Sequence, residues 1–425
     1  MLGRSNPRDG LPRADLLKLK ATLWRLVGFG LVPAVSILSL FVVVPIISRT
    51  AGEAGVIATT VGPSVGAVAA IVVSLGWPLL GPPLIARSSA VERAEAYGSS
   101  VRSRLLVLAV AAPVSAVIAV ALVTERRTEC ALLAVAFAGT GMTCHWYYVG
   151  SGNALGLILR DAVPRMVALG VSAAAMVWGF GMVSYPLTLI FAAVTTYLLV
   201  LHDATGRLTV RFRRADILTV REHLHATLSR LMNGLYLSGA APLVAAVAPA
   251  SVVLFGTYDR VQKSALNAAA TLPGAFDSTV ASSYPPVLRR QSLVLACDAG
   301  LALMITLLLY VAYPALMAFL YSDVAVQDAF ARVTAAVGCG LLFMNKTVLA
   351  HGLLPWKDER VVAHGLTSLA VVGVTAILVG ALVAGAHGVF AVVVAVESVT
   401  LLLGLWRLKV LRPSPIAVST SKEAS

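Results

Sequence analysis

Uncharged runs of about twenty residues dominate this chain, and short segments between them carry most of its charges. A helix needs ~20 apolar residues to cross the hydrocarbon core of a bilayer. Strands of about ten residues with alternating hydrophobicity, typical of membrane barrels, are not seen. The pattern predicts an all-α integral membrane protein with about twelve transmembrane helices: Leu26–Ile47, Val56–Ile85, Leu105–Val123, Ala131–Val149, Met166–Met182, Tyr185–Leu201, Leu231–Phe255, Ser264–Leu288, Leu293–Leu320, Val333–Trp356, Val361–Ala384 and Gly388–Trp406.

The second predicted helix contains four prolines, at positions 63, 78, 82 and 83. Proline removes a backbone donor and clashes with the preceding turn, so we expect this helix to be kinked or broken. A membrane tolerates such a break only where the freed backbone groups face protein or a cavity. The prolines therefore predict a kinked or broken element whose freed backbone groups face either protein or a cavity.

Composition agrees with a membrane protein: 58% of residues are hydrophobic and 12% are charged, and the mean hydropathy is +0.87. Soluble domains carry about 25% charged residues. The net charge of +13 could suggest nucleic acid, but the pattern leaves no soluble domain to bind it. The four cysteines lie apart from one another, without metal-ligand spacing, so no metal site is expected.

The lysine and arginine residues alternate between the two sides of the predicted topology. With the N-terminus inside, inside segments carry 26 of them and outside segments carry 6. Short loops on the cytoplasmic side of a membrane are enriched in these residues. We therefore expect a multi-pass protein of the bacterial cytoplasmic (inner) membrane with both termini in the cytoplasm.

An internal repeat is visible in two short motifs. Residues 13–17 (RADLL) recur as residues 214–218 (RADIL), and residues 82–87 (PPLIAR) resemble residues 285–290 (PPVLRR), at offsets of 201 and 203. Six helices separate the copies, so both copies have the same orientation. A parallel repeat about an axis along the membrane normal follows. It predicts two six-helix halves, residues 1–201 and 231–406, with a central cavity between them.

The segment joining the halves, residues 202–230, is rich in arginine. Ile217, Leu218, Leu224 and Leu228 give it a loose apolar face, and Asp216 is placed to cap a helix. An amphipathic helix on the inner leaflet and a solvated basic connector both fit this pattern. The Ser- and Pro-containing tail, residues 407–425, is expected to be disordered in the cytoplasm.

Three segments resemble a known family. VPIISRTAGEAGVIATTVG (Val44–Gly62), WYYVGSGNALGLILRDAVPRM (Trp146–Met166) and GTYDRVQKSALNAAATLPGAFDSTVASSYPPVLRR (Gly256–Arg290) are similar to motifs of Wzx-type polysaccharide flippases. These motifs also mark the wider superfamily of multidrug exporters, oligosaccharide flippases and the lipid II flippase.

Membership of this family implies a function. The resemblance implies a transporter that flips an undecaprenyl-pyrophosphate-linked oligosaccharide from the inner to the outer leaflet by alternating access. The implied partners are the polyprenyl-linked glycan and membrane lipids, with glycan-assembly enzymes as further candidates. A multidrug or cation antiporter of the same fold is the first alternative, and a membrane-embedded polymerase or acyltransferase is the second.

Neither an enzyme nor a bound cofactor is expected from the sequence. No GxxxxGK[ST] loop appears, and no segment between helices is long enough to fold as an ATPase. The longest outer connection, Tyr321–Arg332, is about a dozen residues. A polymerase would be expected to have a large outer loop with polar catalytic residues, so this short connection argues against one.

Cations within or beside the helices are candidates for contact with an anionic head group. Lys346 lies near the middle of a predicted helix, where a charge costs ~2.5–3.5 kcal/mol, so it predicts either a cavity cation or an ion pair with Asp277. Arg49, Arg260 and Lys263 occupy matching outer positions of the two halves, and Asp259 could neutralise Arg260. The resemblance implies that Arg49 faces the cavity.

Further candidates lie elsewhere in the chain. Arg160 and Arg165 flank the inner end of the motif that begins at Trp146, and they could contact the pyrophosphate or simply follow the charge rule. Asp277, Asp298 and Glu397 are the acids nearest to helix interiors. Each could bind a coupling ion or proton, or form a structural ion pair.

Overall fold

The computed structural model describes residues 13–208, 212–223, 238–269, 287–324, 326–356 and 359–411, with positions 227, 231, 234–236, 272–273, 276 and 280. Side chains are described from residue 37 onward in the first helix and from residue 371 onward in the last. Within these residues the backbone forms helices and turns and contains no strand, which confirms the predicted all-α class.

The first half begins with a long helix that bends at Gly52. This residue has φ 60° and ψ −151°, a conformation open to glycine because it lacks a Cβ. The first half comprises α1 (Arg13–Ser74), α2 (Trp77–Arg87), α3 (Ala90–Leu122), α4 (Arg127–Gly139), α5 (His145–Ser151), α6 (Ala154–Leu157), α7 (Val163–Val177) and α8 (Ser184–Thr205).

The second predicted helix is broken, as its prolines indicated. Leu75 and Gly76 both have positive φ, 46° and 70°, and α2 starts immediately afterwards. Pro78 lies in the first turn of α2, where a missing N–H costs nothing because it would have no helical partner. The break lies beside the tightly packed pair Trp77 and Trp146, whose ring centroids are 5.0 Å apart.

The linker and second half contain α9 (Arg214–Glu222), α10 (Ala240–Val247), α11 (Val252–Ala269), α12 (Leu288–Tyr321), α13 (Ala329–Thr347) and α14 (Glu359–Leu411). Helix α14 bends at Ala384 and Gly385 and thus includes the last two predicted spans. It continues to Leu411, so the predicted tail begins later than residue 407. Residues 412–425 lie outside the described part.

Six helical stretches among the described residues are long and apolar enough to cross a membrane: Ile37–Arg87, Ala90–Leu122, Ser184–Thr205, Leu288–Val324, Ala329–Trp356 and Val371–Leu411. The first and last of these each contain a bend and include two predicted helices. The architecture is the predicted membrane arrangement of two six-helix halves.

The two halves meet at equivalent positions of the repeat. Arg260 Nη1 donates a hydrogen bond to the carbonyl oxygen of Thr59 at 3.4 Å, and these residues are 201 apart in sequence. That separation equals the offset of the sequence repeat. A twofold axis brings equivalent surfaces of two copies together, as in isologous dimers. Gly256 packs so closely against Thr60 that a Cβ there would lie 2.4 Å from its side chain.

One predicted boundary was wrong. Helix α11 runs from Val252 to Ala269, whereas the sequence predicted a loop over residues 256–263 between the helices Leu231–Phe255 and Ser264–Leu288. Pro249 opens the turn before it, and proline is favoured at such starts. Arg260 and Lys263 therefore lie about two to three turns inside a helix, not in an outer loop.

Candidate functional site

A cavity of about 530 Å³ lies between the halves and is walled mainly by the first. Helices α1, α4, α7 and α8 supply most of its lining, and α11 supplies the second half's side. The lining includes Pro63 of α1, whereas the break at Leu75 and Gly76 lies outside the described lining. Of the predicted site residues, Arg165, Arg260 and Lys263 line it together.

Arg165 is held in the cavity by an acid on its own helix. Its Nε donates to Asp161 Oδ1 at 2.9 Å, one turn away. Asp161 is fully buried, and its other oxygen, Oδ2, has no hydrogen-bond partner among the described residues. Asp161 lies in the π-helical turn Ile158–Ala162. Turns of this kind are frequent at functional sites.

Helix α11 brings the other cations into the same cavity. Lys263 Nζ donates to Asp259 Oδ2 at 2.6 Å across one helical turn. Asp259 therefore pairs with Lys263, not with Arg260 as its adjacent position suggested. Arg260 donates only to a backbone carbonyl, that of Thr59, and has no carboxylate partner within the described residues. The described lining thus has three cations and two carboxylates, a formal charge of +1.

Hydroxyl and aromatic groups complete the lining. Tyr185 shares a hydrogen bond of 3.2 Å with Ser39, and the hydroxyl of Thr196 has no partner among the described residues. The other polar and aromatic side chains of the lining are Thr59, Thr60, Ser64, Tyr97, Phe137, Thr140, Thr143, Tyr197, Ser238 and Asn267. Such a wall can hydrogen-bond sugar hydroxyls and stack against sugar rings.

Arg104 is a functional candidate that sequence reasoning missed. Its guanidinium is fully buried and donates to the carbonyl oxygens of Thr143 at 2.9 Å and Gly141 at 3.3 Å. These carbonyls lie in the break between α4 and α5, where helical partners are lost. Because Thr143 lines the cavity, Arg104 holds the cavity wall in place. Arg104 lies in an arginine-rich segment, and the enrichment of arginine in cytoplasmic loops accounts for that segment without any role in a site.

The structure places Lys346 outside this cavity, among second-half residues. Its side chain is exposed and lies near enough to Glu397 for their charges to interact. Glu397 is mostly buried and accepts a hydrogen bond of 2.7 Å from Asn345 Nδ2. The described lining of the central cavity does not include Lys346, and a role for Lys346 in binding a head group stays a prediction. Its predicted partner Asp277 lies outside the described residues.

Asp298 forms a buried pair in the second half, away from the cavity. Its Oδ2 contacts His351 Nδ1 at 2.7 Å, and both side chains are fully buried. His351 lies in a second π-helical turn, Val348–Leu353. Gln291 donates to the carbonyls of His351 and Gly352 and fixes this turn. This buried contact fits a structural pair and a site that binds a coupling proton equally well.

The two remaining predicted arginines, Arg49 and Arg160, contact groups outside the described cavity lining. Arg49 is exposed and donates to the carbonyls of Pro45 and Phe319 at 3.2 Å each, so it joins the two halves outside the cavity lining. The described lining of the cavity does not include Arg49, and its predicted contact with a substrate stays a prediction. Arg160 pairs with Asp203 at 2.6 Å near the end of α8, so its guanidinium is already engaged.

No protein-family model matches the sequence, and no curated protein matches it. Solved structures do resemble it. A MATE family multidrug resistance transporter of the MOP superfamily, in an inward-facing conformation, aligns at TM-score 0.55 and 13% identity over 92% of this chain and 95% of that one. A MATE protein in complex with MaL6 aligns at TM-score 0.56 and 14% identity over 91% and 96%.

A third similar structure is a MOP superfamily transporter from Pyrococcus furiosus. It aligns at TM-score 0.55 and 14% identity over 93% of this chain and 97% of that one, and it is described as having a binding pocket of reverse polarity that suggests a different function. Coverage is nearly complete in all three cases, and identity is low. This chain therefore has the fold of the MATE transporters of the MOP superfamily.

Proposed function

We propose that this chain is a membrane transporter that flips a lipid-linked oligosaccharide, carried on an anionic pyrophosphate, across the membrane by alternating access. The observation that carries the proposal is Arg260, a cation in the cavity that lacks a carboxylate partner among the described residues. A charge within the membrane is costly and usually marks a substrate or ion pathway. An anionic head group would neutralise it.

The rest of the lining supports a glycan-bearing substrate. Arg165 and Lys263 can turn from their carboxylates toward a phosphate, because each pair is a single i,i+4 contact on a helix surface. The hydroxyl groups around them can form hydrogen bonds with a sugar, and the tyrosine rings can stack against it. With the positive-inside count, the proposal places both termini in the cytoplasm and moves the substrate from the inner to the outer leaflet.

Export of organic cations is a second candidate function, favoured by one observation. Asp161 Oδ2 is a buried carboxylate oxygen with no partner among the described residues, and it borders the cavity. A drug cation could bind it. Some similar structures are multidrug resistance transporters, so this candidate fits the fold equally well. The formal charge of the described lining favours the anion.

Transport by the purified full-length chain in proteoliposomes separates the two candidates. We expect the chain to move a fluorescent polyprenyl-pyrophosphate oligosaccharide to the opposite leaflet, measured by protection from a membrane-impermeant quencher. We expect no uptake of ethidium beyond that of protein-free liposomes. Ethidium uptake without movement of the pyrophosphate lipid would overturn the proposal and establish the second candidate.

A further inference from the structure

A second cavity, of about 900 Å³, opens along the seam between the halves. Its wall comes from α1, α3, the linker helix α9, α10 with the residues before it, and α14. We call it the seam groove and define it by Val68, Val72, Val110, Val114, Pro242 and Leu243. Its volume lies within the ~300–1,000 Å³ of typical ligand pockets. Nothing described above uses it.

The seam groove offers hydrocarbon alone to an occupant. Ser115 is the one polar side chain in its described lining, and that hydroxyl already donates to the carbonyl of Ala112 at 2.8 Å. No side-chain hydrogen-bond donor of the described lining is therefore left for a ligand. A polar or charged occupant would lose its hydration without compensation, so the groove selects a hydrocarbon chain.

The groove and the central cavity share a wall. On α1, Ser64 and Ala67 line the central cavity, whereas Val65 and Val68 line the seam groove. One helix thus presents a polar face to one space and an apolar face to the other. On the second half's side, Ser238 lines the central cavity and the next residue, Gly239, lines the seam groove. The two spaces are neighbours along the seam.

The linker helix supplies part of the groove's wall. Ile217 and Val220 of α9 contribute to its lining. Helix α9 is fixed there because Arg102 of α3 donates to both carboxylate oxygens of Asp216, at 2.9 and 3.0 Å. The linker is therefore held against the groove, whose lining on α3 extends from Leu106 to Leu122.

We propose that the seam groove binds the polyprenyl tail of a lipid-linked substrate whose head group occupies the central cavity; this inference rests on the proposed function. The polyprenyl carrier has one hydrocarbon chain for each pyrophosphate, and the groove is one channel beside one cationic cavity. A diacyl phospholipid has two chains and would leave one outside. The tail stays in an apolar environment, while Arg260 and its neighbours offset the hydration that the anionic head group loses in the cavity.

The test uses a diazirine-bearing polyprenol, which has the tail but no phosphate, and the full-length chain in nanodiscs of phosphatidylethanolamine and phosphatidylglycerol. We expect photolabelling to map to α3 and α10. Val114→Trp should reduce it about tenfold, and Val171→Trp should leave it unchanged. Val114 and Val171 have the same exposure, 52%, but only Val114 lines the groove. Val114→Thr, which keeps the shape and adds a hydroxyl, should reduce labelling several-fold.

Equal labelling of the Val114→Trp and Val171→Trp variants would overturn the inference. So would equal labelling of the groove by a diazirine-bearing phosphatidylglycerol, which would make the occupant a phospholipid chain. The readout does not depend on the cavity cations because polyprenol is uncharged. If the unmodified chain transports the pyrophosphate lipid but shows no labelling of the groove, the groove inference alone is refuted. If the groove is labelled but no transport occurs, the proposed function alone is refuted.

Discussion

Replacing Arg260 with alanine should reduce transport of the pyrophosphate-linked substrate about 100-fold at limiting substrate. Truncating one partner of a buried charged contact costs ~2–5 kcal/mol, and each 1.4 kcal/mol is about tenfold in affinity. Arg260→Lys keeps the charge and should retain part of the activity. The measurement is the initial rate in proteoliposomes, normalised to reconstituted protein.

Arg49→Ala is the matched control for this experiment. Arg49 and Arg260 were both predicted as outer cations, but Arg49 contacts backbone carbonyls outside the cavity lining. We expect its loss to change the rate by about twofold or less, because exposed contacts contribute ~0–1 kcal/mol. Lys346→Ala should also have a small effect. Equal losses in the Arg260→Ala and Arg49→Ala variants would contradict the role given to the cavity.

Replacing Asp216 with alanine should lower the free energy of unfolding by about 3 kcal/mol. Asp216 is almost fully buried, and the side chain of Arg102 is 14% exposed. Removing one member of a buried ion pair costs ~3–5 kcal/mol, because the remaining charge is left without compensation. Asp216 also accepts the backbone N–H of Arg213 at 2.7 Å, which caps α9. The measurement is equilibrium unfolding of the purified chain by sodium dodecyl sulfate.

Two further variants test the physical reason for this loss. Arg102→Met combined with Asp216→Leu leaves no buried charge at the site, and we expect stability to return to within about 1 kcal/mol of the wild type. Glu95→Ala removes a nearby pair with Arg213 whose side chains are 71% and 65% exposed and 3.8 Å apart. It should cost less than ~1 kcal/mol. A loss no larger for Asp216→Ala than for Glu95→Ala would refute the prediction.

Hydropathy predicted the helical architecture because each helix must be long and apolar to cross the membrane. It failed between Leu231 and Ser264. Residues 231–255 carry no charge, and the charges between Asp259 and Lys263 predicted a loop. Only Pro249 signalled the true turn, and a single proline near a helix end is a weak signal. The consequence was large, because the misplaced boundary put two cavity cations outside the membrane.

The site was predicted in part. Arg165, Arg260 and Lys263 were identified from charge alone, and the i,i+4 spacing of Asp161 and Asp259 to two of them could have shown which cations are paired. The position of Lys346 could not be obtained in this way. A charged residue in a helix indicates burial or a cavity, but hydropathy does not say which of several cavities its helix face meets.

The charge of the cavity has an electrical consequence for a transport cycle. The described lining carries a formal charge of +1 when empty. A pyrophosphate with about one negative charge per esterified phosphate would change it to about −1. A membrane potential that is negative inside then assists the outward movement of the loaded cavity and the inward return of the empty one. Each elementary charge that crosses the full potential contributes ~2.3 kcal/mol per 100 mV, so two half-cycles of opposite charge would draw on the same electrical gradient.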